Sequence, residues 1–268
     1  MKLVALVQKP ADPDTAARAF AAAAGLTAAE ARMRLAPEPP AVLARLEPAA
    51  ADVLVAALRQ AGLAALAVEL PVPTDDARTV ARTFVVDAAG VSFTPRRGEA
   101  LQLGWADVAA VLRAVRGKRA EVETTEKTRK LSPGAAVLTG GLALTRTTTK
   151  TVRSSEEAIE QVLLVIARDG RVAVVAEGRV DFSCLGARMS PSSTANLQEL
   201  ARQLRERAQG GLHDDRLVRL GRRQLPFVAA TDWRLEGGGS RTTLTDTSAN
   251  LDVLVEIMRQ GLALGLVR

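Results

Sequence analysis

The chain has no tyrosine, two tryptophans and five phenylalanines, with one cysteine and one histidine. Each scarcity excludes something. A core with so few aromatic rings must be built from Ala, Leu and Val, and a nucleic-acid interface would have few rings for base stacking. One cysteine, Cys184, rules out an internal disulfide and fits a reducing compartment. Beside Phe182 and Leu185 it reads as buried packing. The one histidine, His213, precedes Asp214 and Asp215, but neighbouring residues on one element point different ways. No second histidine completes a metal site, and nothing in the sequence places Cys184 beside His213 as a nucleophile–base pair. Gly134, Gly140 and Gly141 are not followed by the Gly-Lys-Ser/Thr of a phosphate loop, and Gly237–Gly239 opens no dinucleotide-binding helix. The sequence therefore predicts no catalytic residues, no metal and no cofactor.

Long hydrophobic runs are also missing. No stretch reaches the roughly 20 apolar residues that cross a bilayer. The first apolar run ends at Lys9 and Pro10, too soon for a signal-peptide core. The expected location is the cytoplasm, with contact at a membrane surface compatible.

What is present is a globular composition, 47% hydrophobic and 25% charged over 268 residues, enough for two domains. The net charge of +6 is unevenly spread: residues 77–155 hold 14 Lys/Arg against 6 Asp/Glu, and the rest 22 against 24. A local basic excess points to an anionic partner.

The most distinctive stretch lies inside that basic region, at 118–153. Residues 119–130 and 144–153 are rich in threonine at near-alternating positions, the pattern of solvated strands. Glu121, Glu123 and Glu126 on one run would face Arg146, Lys150 and Arg153 on the other. Between them, residues 131–145 carry no charge, with Ser132-Pro133 set to start a short helix and Gly140-Gly141 to stop it. The result is a polar two-stranded arm with an apolar tip. Lys127, Arg129, Lys130, Arg146 and Lys150 form its basic rim, and Val137, Leu138, Leu142 and Leu144 its apolar end. These nine residues are the candidate binding site.

Before the arm, the chain reads as strand 3–8, a helix capped by Asp14 or Thr15, and a helix capped by Thr27 with Glu30 at the capping-box position. A strand at 41–46, a helix from Pro48 to Ala61 and a strand at 63–70 follow. Gly25-Leu26-Thr27-Ala28-Ala29-Glu30-Ala31-Arg32, then Pro40, Val42, Asp52 and Ala61-Gly62, resemble the C-terminal domain of the bacterial ribosomal stalk protein, a topology also seen in a protease adaptor. The resemblance implies a β-α-α-β-α-β domain over 1–70. In that family the first two helices offer a lysine-rich face to translational GTPases. Here the equivalent cations are only Arg18, Arg32 and Arg34.

After a linker at 71–77, alternating patterns predict strands at 80–86, 90–95, 100–103 and 108–116, with Asp87–Gly90 as a hairpin turn. Beyond the arm come strands at 159–168 and 171–176 around Asp169-Gly170. A strand Arg179–Cys184 and a helix capped by Ser190-Pro191-Ser192-Ser193 and running to Ala208, with Leu197, Leu200, Ala201 and Leu204 on one face, follow. Short strands ending in one amphipathic helix, with Trp105-Ala106-Asp107-Val108 between early strands, resemble a pleckstrin-homology-like barrel over 78–208. That resemblance implies a lipid-, peptide- or protein-binding module. Residues 209–268 form an extension: a basic helix at 213–224, a strand pair in 225–235, a glycine turn, and an amphipathic helix at 250–264 that packs on the body or on a second copy.

The expected fold is thus α+β: a β-α-α-β-α-β domain, a pleckstrin-homology-like β-barrel capped by a helix, and a C-terminal α/β extension. The expected function is a non-catalytic binding or adaptor protein whose arm engages a protein partner or an anionic lipid surface. Two alternatives are a self-associating scaffold, as a homo-oligomer, and a ribosome-associated or RNA-binding factor, with nucleic acid the weaker partner.

Overall fold

The computed structural model describes residues 1–131, 145–228, 231–236 and 240–267, with side chains outside 118–131, 145–156, 231–236 and 240–245. The architecture is mixed α+β. The chain divides into two compact units: unit 1 comprises 1–116, 160–229 and 247–268, and unit 2 comprises 117–159 and 230–246.

Unit 1 begins with β1 (Lys2–Leu6), α1 (Pro13–Ala24), α2 (Ala28–Leu35), β2 (Ala41–Leu46), α3 (Pro48–Gln60) and β3 (Ala65–Glu69). The strands form an antiparallel sheet in the order β2-β1-β3. Asp12, not Asp14 or Thr15, caps α1. Its carboxylate accepts from the amides of Asp14 and Thr15, which leaves Pro13 at the first turn, where its missing N–H costs nothing. α2 has the predicted capping box, in which Thr27 Oγ1 accepts from the Glu30 amide and Glu30 accepts from the Thr27 amide.

The second sheet contains β4 (Thr79–Val86), β5 (Gly90–Pro95), β6 (Leu101–Gly104), β7 (Val108–Leu131), β8 (Thr145–Ala167) and β9 (Val172–Ala176). Further on lie a short β10 (Leu212–Asp214), β11 (Thr231–Glu236) and β12 (Ser240–Asp246). The order is β11-β12-β7-β8-β9-β4-β5-β6, with β10 parallel to β7. Among the described residues no pair closes this path into a barrel. The helices of this half are α4 (Ser193–Arg207), α5 (Leu217–Leu220) and α6 (Ser248–Ala263).

Alternation along the strands builds the layers of unit 1. On β8, Val162, Leu164 and Ile166 enter one core while Leu163 and Val165 enter another, so the strand is apolar on both faces. The second core is covered by α4 through Leu197, Leu200, Ala201 and Leu204, as its spacing predicts. The first is shared with Leu251, Leu254, Ile257 and Met258 of α6 and with Leu3, Ala5, Leu66 and Val68 of the N-terminal sheet. That sheet turns Val4 and Leu6 the other way, onto Phe20, Leu54 and Leu58 of its own helices.

Three local expectations are corrected. Residues 179–184 form no strand; the chain makes a 3-10 turn at Ser183–Arg188, broken by Gly186 in a left-handed conformation. Cys184 is consequently exposed rather than buried, while Phe182 and Leu185 fill the core beside it. Residues 213–224 are not one helix, because His213 and Asp214 belong to β10 and only Leu217–Leu220 are helical. The C-terminal strand pair is shifted: β11 and β12 flank the glycines and pair with each other, Trp233 opposite Thr243.

Candidate functional site

Unit 2 carries the candidate arm. Lys127, Arg129 and Lys130 lie on the distal half of β7, and Arg146 and Lys150 on the start of β8, the neighbouring strand. Val137, Leu138, Leu142 and Leu144 lie outside the described residues, as do the expected helix start at Ser132-Pro133 and its stop at Gly140-Gly141. The other edge of β7 is occupied by β12. There Glu123 is opposite Arg241 and Lys118 opposite Asp246 in register. Of the glutamates expected to face the second run, Glu123 thus also has a basic residue of β12 across from it, while Glu121 is opposite Thr243. Cross-strand charge pairs of this kind contribute roughly 0.2–1 kcal/mol.

A second basic constellation, in unit 1, was not foreseen. The order β9-β4-β5 brings together Arg78 and Arg82 on or beside β4, Arg96 and Arg97 after β5, and Arg179 after β9. With Val80, Ala81, Pro95 and Gly178 they line an open groove of about 740 Å3 that has no carboxylate in its lining. A bulge between Ala81 and Thr83 interrupts the β4–β5 register at Arg82. There Arg82 Nη1 donates to the Arg179 carbonyl at 2.6 Å, and the Asp181 amide donates to the Arg82 carbonyl at 2.8 Å, which fixes the 178–181 turn against β4.

Behind the groove lies an ionic network. Arg116 donates from Nε to Glu160 Oε2 at 2.7 Å and from Nη1 to Asp75 Oδ2 at 2.8 Å. Asp75 is also 3.6 Å from Arg179 and 3.9 Å from Arg78. Arg78 is bonded to Asp252 and donates to the Pro73 carbonyl at 2.7 Å. Burial pushes the Asp252 carboxyl up from its ordinary value despite the opposing Arg78 charge. For Arg116, burial disfavours the charge, but hydrogen bonds to Asp75 and Glu160 outweigh it and its pKa rises. Three carboxylates therefore face Arg78, Arg116 and Arg179. Arg96 and Arg97 are exposed and have no partner among the described residues. Near Arg82 stands Asp181, whose carboxylate is held below its ordinary value chiefly by hydrogen bonds from Ser183, with Arg82 a smaller influence.

Of the residues weighed for catalysis, Cys184 is exposed. His213 Nε2 is 3.0 Å from the Ala208 carbonyl, and its Nδ1 is buried without a hydrogen-bond partner. Asp214 is ion-paired with Arg216 at 2.5 Å, and Asp215 with Arg113 at 3.2 Å. Among the described residues no group of His, Cys, Asp or Glu could hold a metal. The cations noted on α1 and α2 are engaged: Arg32 pairs with Asp14 at 2.9 Å, Arg18 donates to Thr15, and Arg34 donates to the Leu43 carbonyl.

Sequence reasoning missed the groove because its arginines lie as far apart as positions 78 and 179. The one available signal was the Arg96-Arg97-Gly98 turn within the basic region. No protein-family model, curated protein or solved structure matches the chain.

Proposed function

We propose that the protein is a non-catalytic adaptor, acting in the cytoplasm, that engages an anionic membrane surface through the arm of unit 2. The observation that carries this reading is the placement of five basic rim residues on the parts of the two long strands, β7 and β8, that belong to unit 2. They flank a stretch that the sequence leaves uncharged. A basic rim around an apolar end suits an interface where headgroup charge and acyl chains meet. No helix among the described residues is long and apolar enough to cross a membrane, so contact by those helices would be peripheral.

The pleckstrin-homology-like reading of 78–208 is part of this proposal. Its support is the pair of meanders β4-β5-β6 and β7-β8-β9, joined by a parallel β4–β9 contact and covered by α4.

Flotation with anionic and neutral vesicles tests the reading. The full chain is expected to float with anionic vesicles, and a Leu138→Asp/Leu142→Asp variant to stay behind. Equal flotation of both, or none by either, would reject it.

One observation favours a second reading, self-association. β11 ends the sheet order, so its outer edge has no strand partner among the described residues, and such edges pair readily with other chains. A strictly monomeric mass at high micromolar concentration would remove it. The ribosome-associated reading gains no comparable support, since Arg32 and Arg34 are engaged within the N-terminal domain.

A further inference from the structure

We infer that the arginine groove of unit 1 is a binding site for a compact, soluble polyphosphate anion. The inference is independent of the arm.

Four features carry it. The groove's charge comes entirely from arginine, whose planar fork bonds phosphate oxygens two at a time, where lysine offers a point charge. No carboxylate is among the residues that line the groove, and those that reach Arg78 and Arg179 form no ion pair with Arg82, Arg96 or Arg97. Its cations are also differently engaged. Arg78 and Arg179 are held from behind by Asp75, Asp252 and Glu160, which orients them and offsets their charge. Arg96 and Arg97 are exposed without partners among the described residues, so they can close on an anion without breaking an existing pair. Arg82 is committed at one Nη only, to the Arg179 carbonyl.

The fourth feature is size. The arginines come from β4 and its start and from the turns that follow its neighbours β5 and β9, so two inter-strand spacings of roughly 4.8 Å set a backbone scale of about 10 Å for the groove. A single phosphate would satisfy one or two forks and leave the rest of Arg82, Arg96 and Arg97 unmet. A short chain of linked phosphates meets them together. No aromatic side chain lines the groove, so nothing is offered for a nucleobase to stack on. This favours a polyphosphate without a base over a nucleotide.

The test is isothermal titration of the full chain with inorganic tripolyphosphate, orthophosphate and citrate at fixed ionic strength. Tripolyphosphate is expected to saturate at one equivalent, at least tenfold tighter than orthophosphate or citrate. Arg96→Glu/Arg97→Glu should abolish the binding. Arg96→Lys/Arg97→Lys, which keeps the charge and loses the fork, should weaken it several-fold. Both pairs lie on an exposed turn, and unchanged thermal melting would show that the fold survives. The arm variant Leu138→Asp/Leu142→Asp should bind tripolyphosphate like the parent, which separates this site from the membrane reading. Equal affinity for citrate, unaltered binding by the Glu variant, or binding only to phosphate-bearing vesicles would each overturn the inference.

Discussion

Arg116 reaches back 41 positions to bond Asp75 at 2.8 Å, tying the segment that enters the second sheet to its longest strand. The guanidinium is 10% exposed, and Nη2 is buried without a hydrogen-bond partner. Removing one member of a part-buried network leaves the opposite charges uncompensated. Arg116→Met should therefore destabilise the protein by about 3 kcal/mol, read as a fall in urea midpoint at constant slope. Adding Asp75→Asn and Glu160→Gln to that variant should recover much of the loss, since the orphaned charges are then gone. If the triple variant were no more stable than Arg116→Met, the carboxylates would not be what the arginine compensates.

Acid should act through two helices. On α6, burial raises the Glu256 carboxyl, but hydrogen bonds from Arg259 and Gln260 outweigh it and hold the pKa below 4.5. On α4, hydrogen bonds from Arg202 and Gln203 bring Glu199 down to about 2. Both folded values lie below the unfolded one, so each carboxylate stabilises the fold above pH 4.5 and loses that contribution as pH falls through its folded value. For Glu199 the window runs from 4.5 to about 2. Glu256→Gln should cost about 1–2 kcal/mol at neutral pH, as expected for lost charge-assisted hydrogen bonds. Its difference from the parent in thermal melting should shrink steadily as the buffer is acidified below pH 4.5. A difference that stayed constant down to acid unfolding would contradict the assignment.

Two glycines are required by backbone proximity. A Cβ on Gly90 would stand 2.1 Å from the Leu103 carbonyl oxygen, and one on Gly221 2.1 Å from that of Val115. Both obstacles are backbone, which cannot rotate aside. Gly90→Ala and Gly221→Ala should each cost at least about 2 kcal/mol, measured by chemical denaturation. A loss under half of that would mean that the β5–β6 pairing or the turn after α5 shifts easily.

Much of this was legible locally. Thr27 and Glu30 announced their capping box, and Asp169-Gly170 announced the β8–β9 hairpin, because both motifs complete themselves within a few residues. Periodicity placed α4 and α6 on their correct faces. The long strands were read in pieces: 108–116 and 119–130 were expected as separate strands and are one, β7, running to 131. Its Thr-Glu-Lys half looks like a different element when one face is no longer apolar. Cys184 was misplaced because Val180 and Phe182, both buried, imitate strand alternation leading into a turn. The arginine groove was hidden for a different reason. It depends on β4 lying beside β9, a parallel contact at Thr79–Ala173 and Val80–Val174 that joins distant strands, and no local pattern encodes such a neighbour.

The position of α6 leads to a prediction about cooperativity. Its Leu254 and Met258 are fully buried, in one cluster with Leu3 and Val68 of the N-terminal sheet and Leu112 and Leu164 of the larger one. Neither sheet can expose that face without opening the other's core. Leu254→Ala should cost about 2–5 kcal/mol, the usual range for a buried leucine. Unit 1 should still unfold in a single transition, because the helix is common to both halves. Far-UV circular dichroism follows the helices, α1–α3 among them, and Trp105 fluorescence in a Trp233→Phe background follows the larger sheet. The two urea curves should coincide in the parent and shift together in Leu254→Ala. If the variant's curves separated, the N-terminal β-α-α-β-α-β segment would be folding on its own, with α6 docked on it rather than shared.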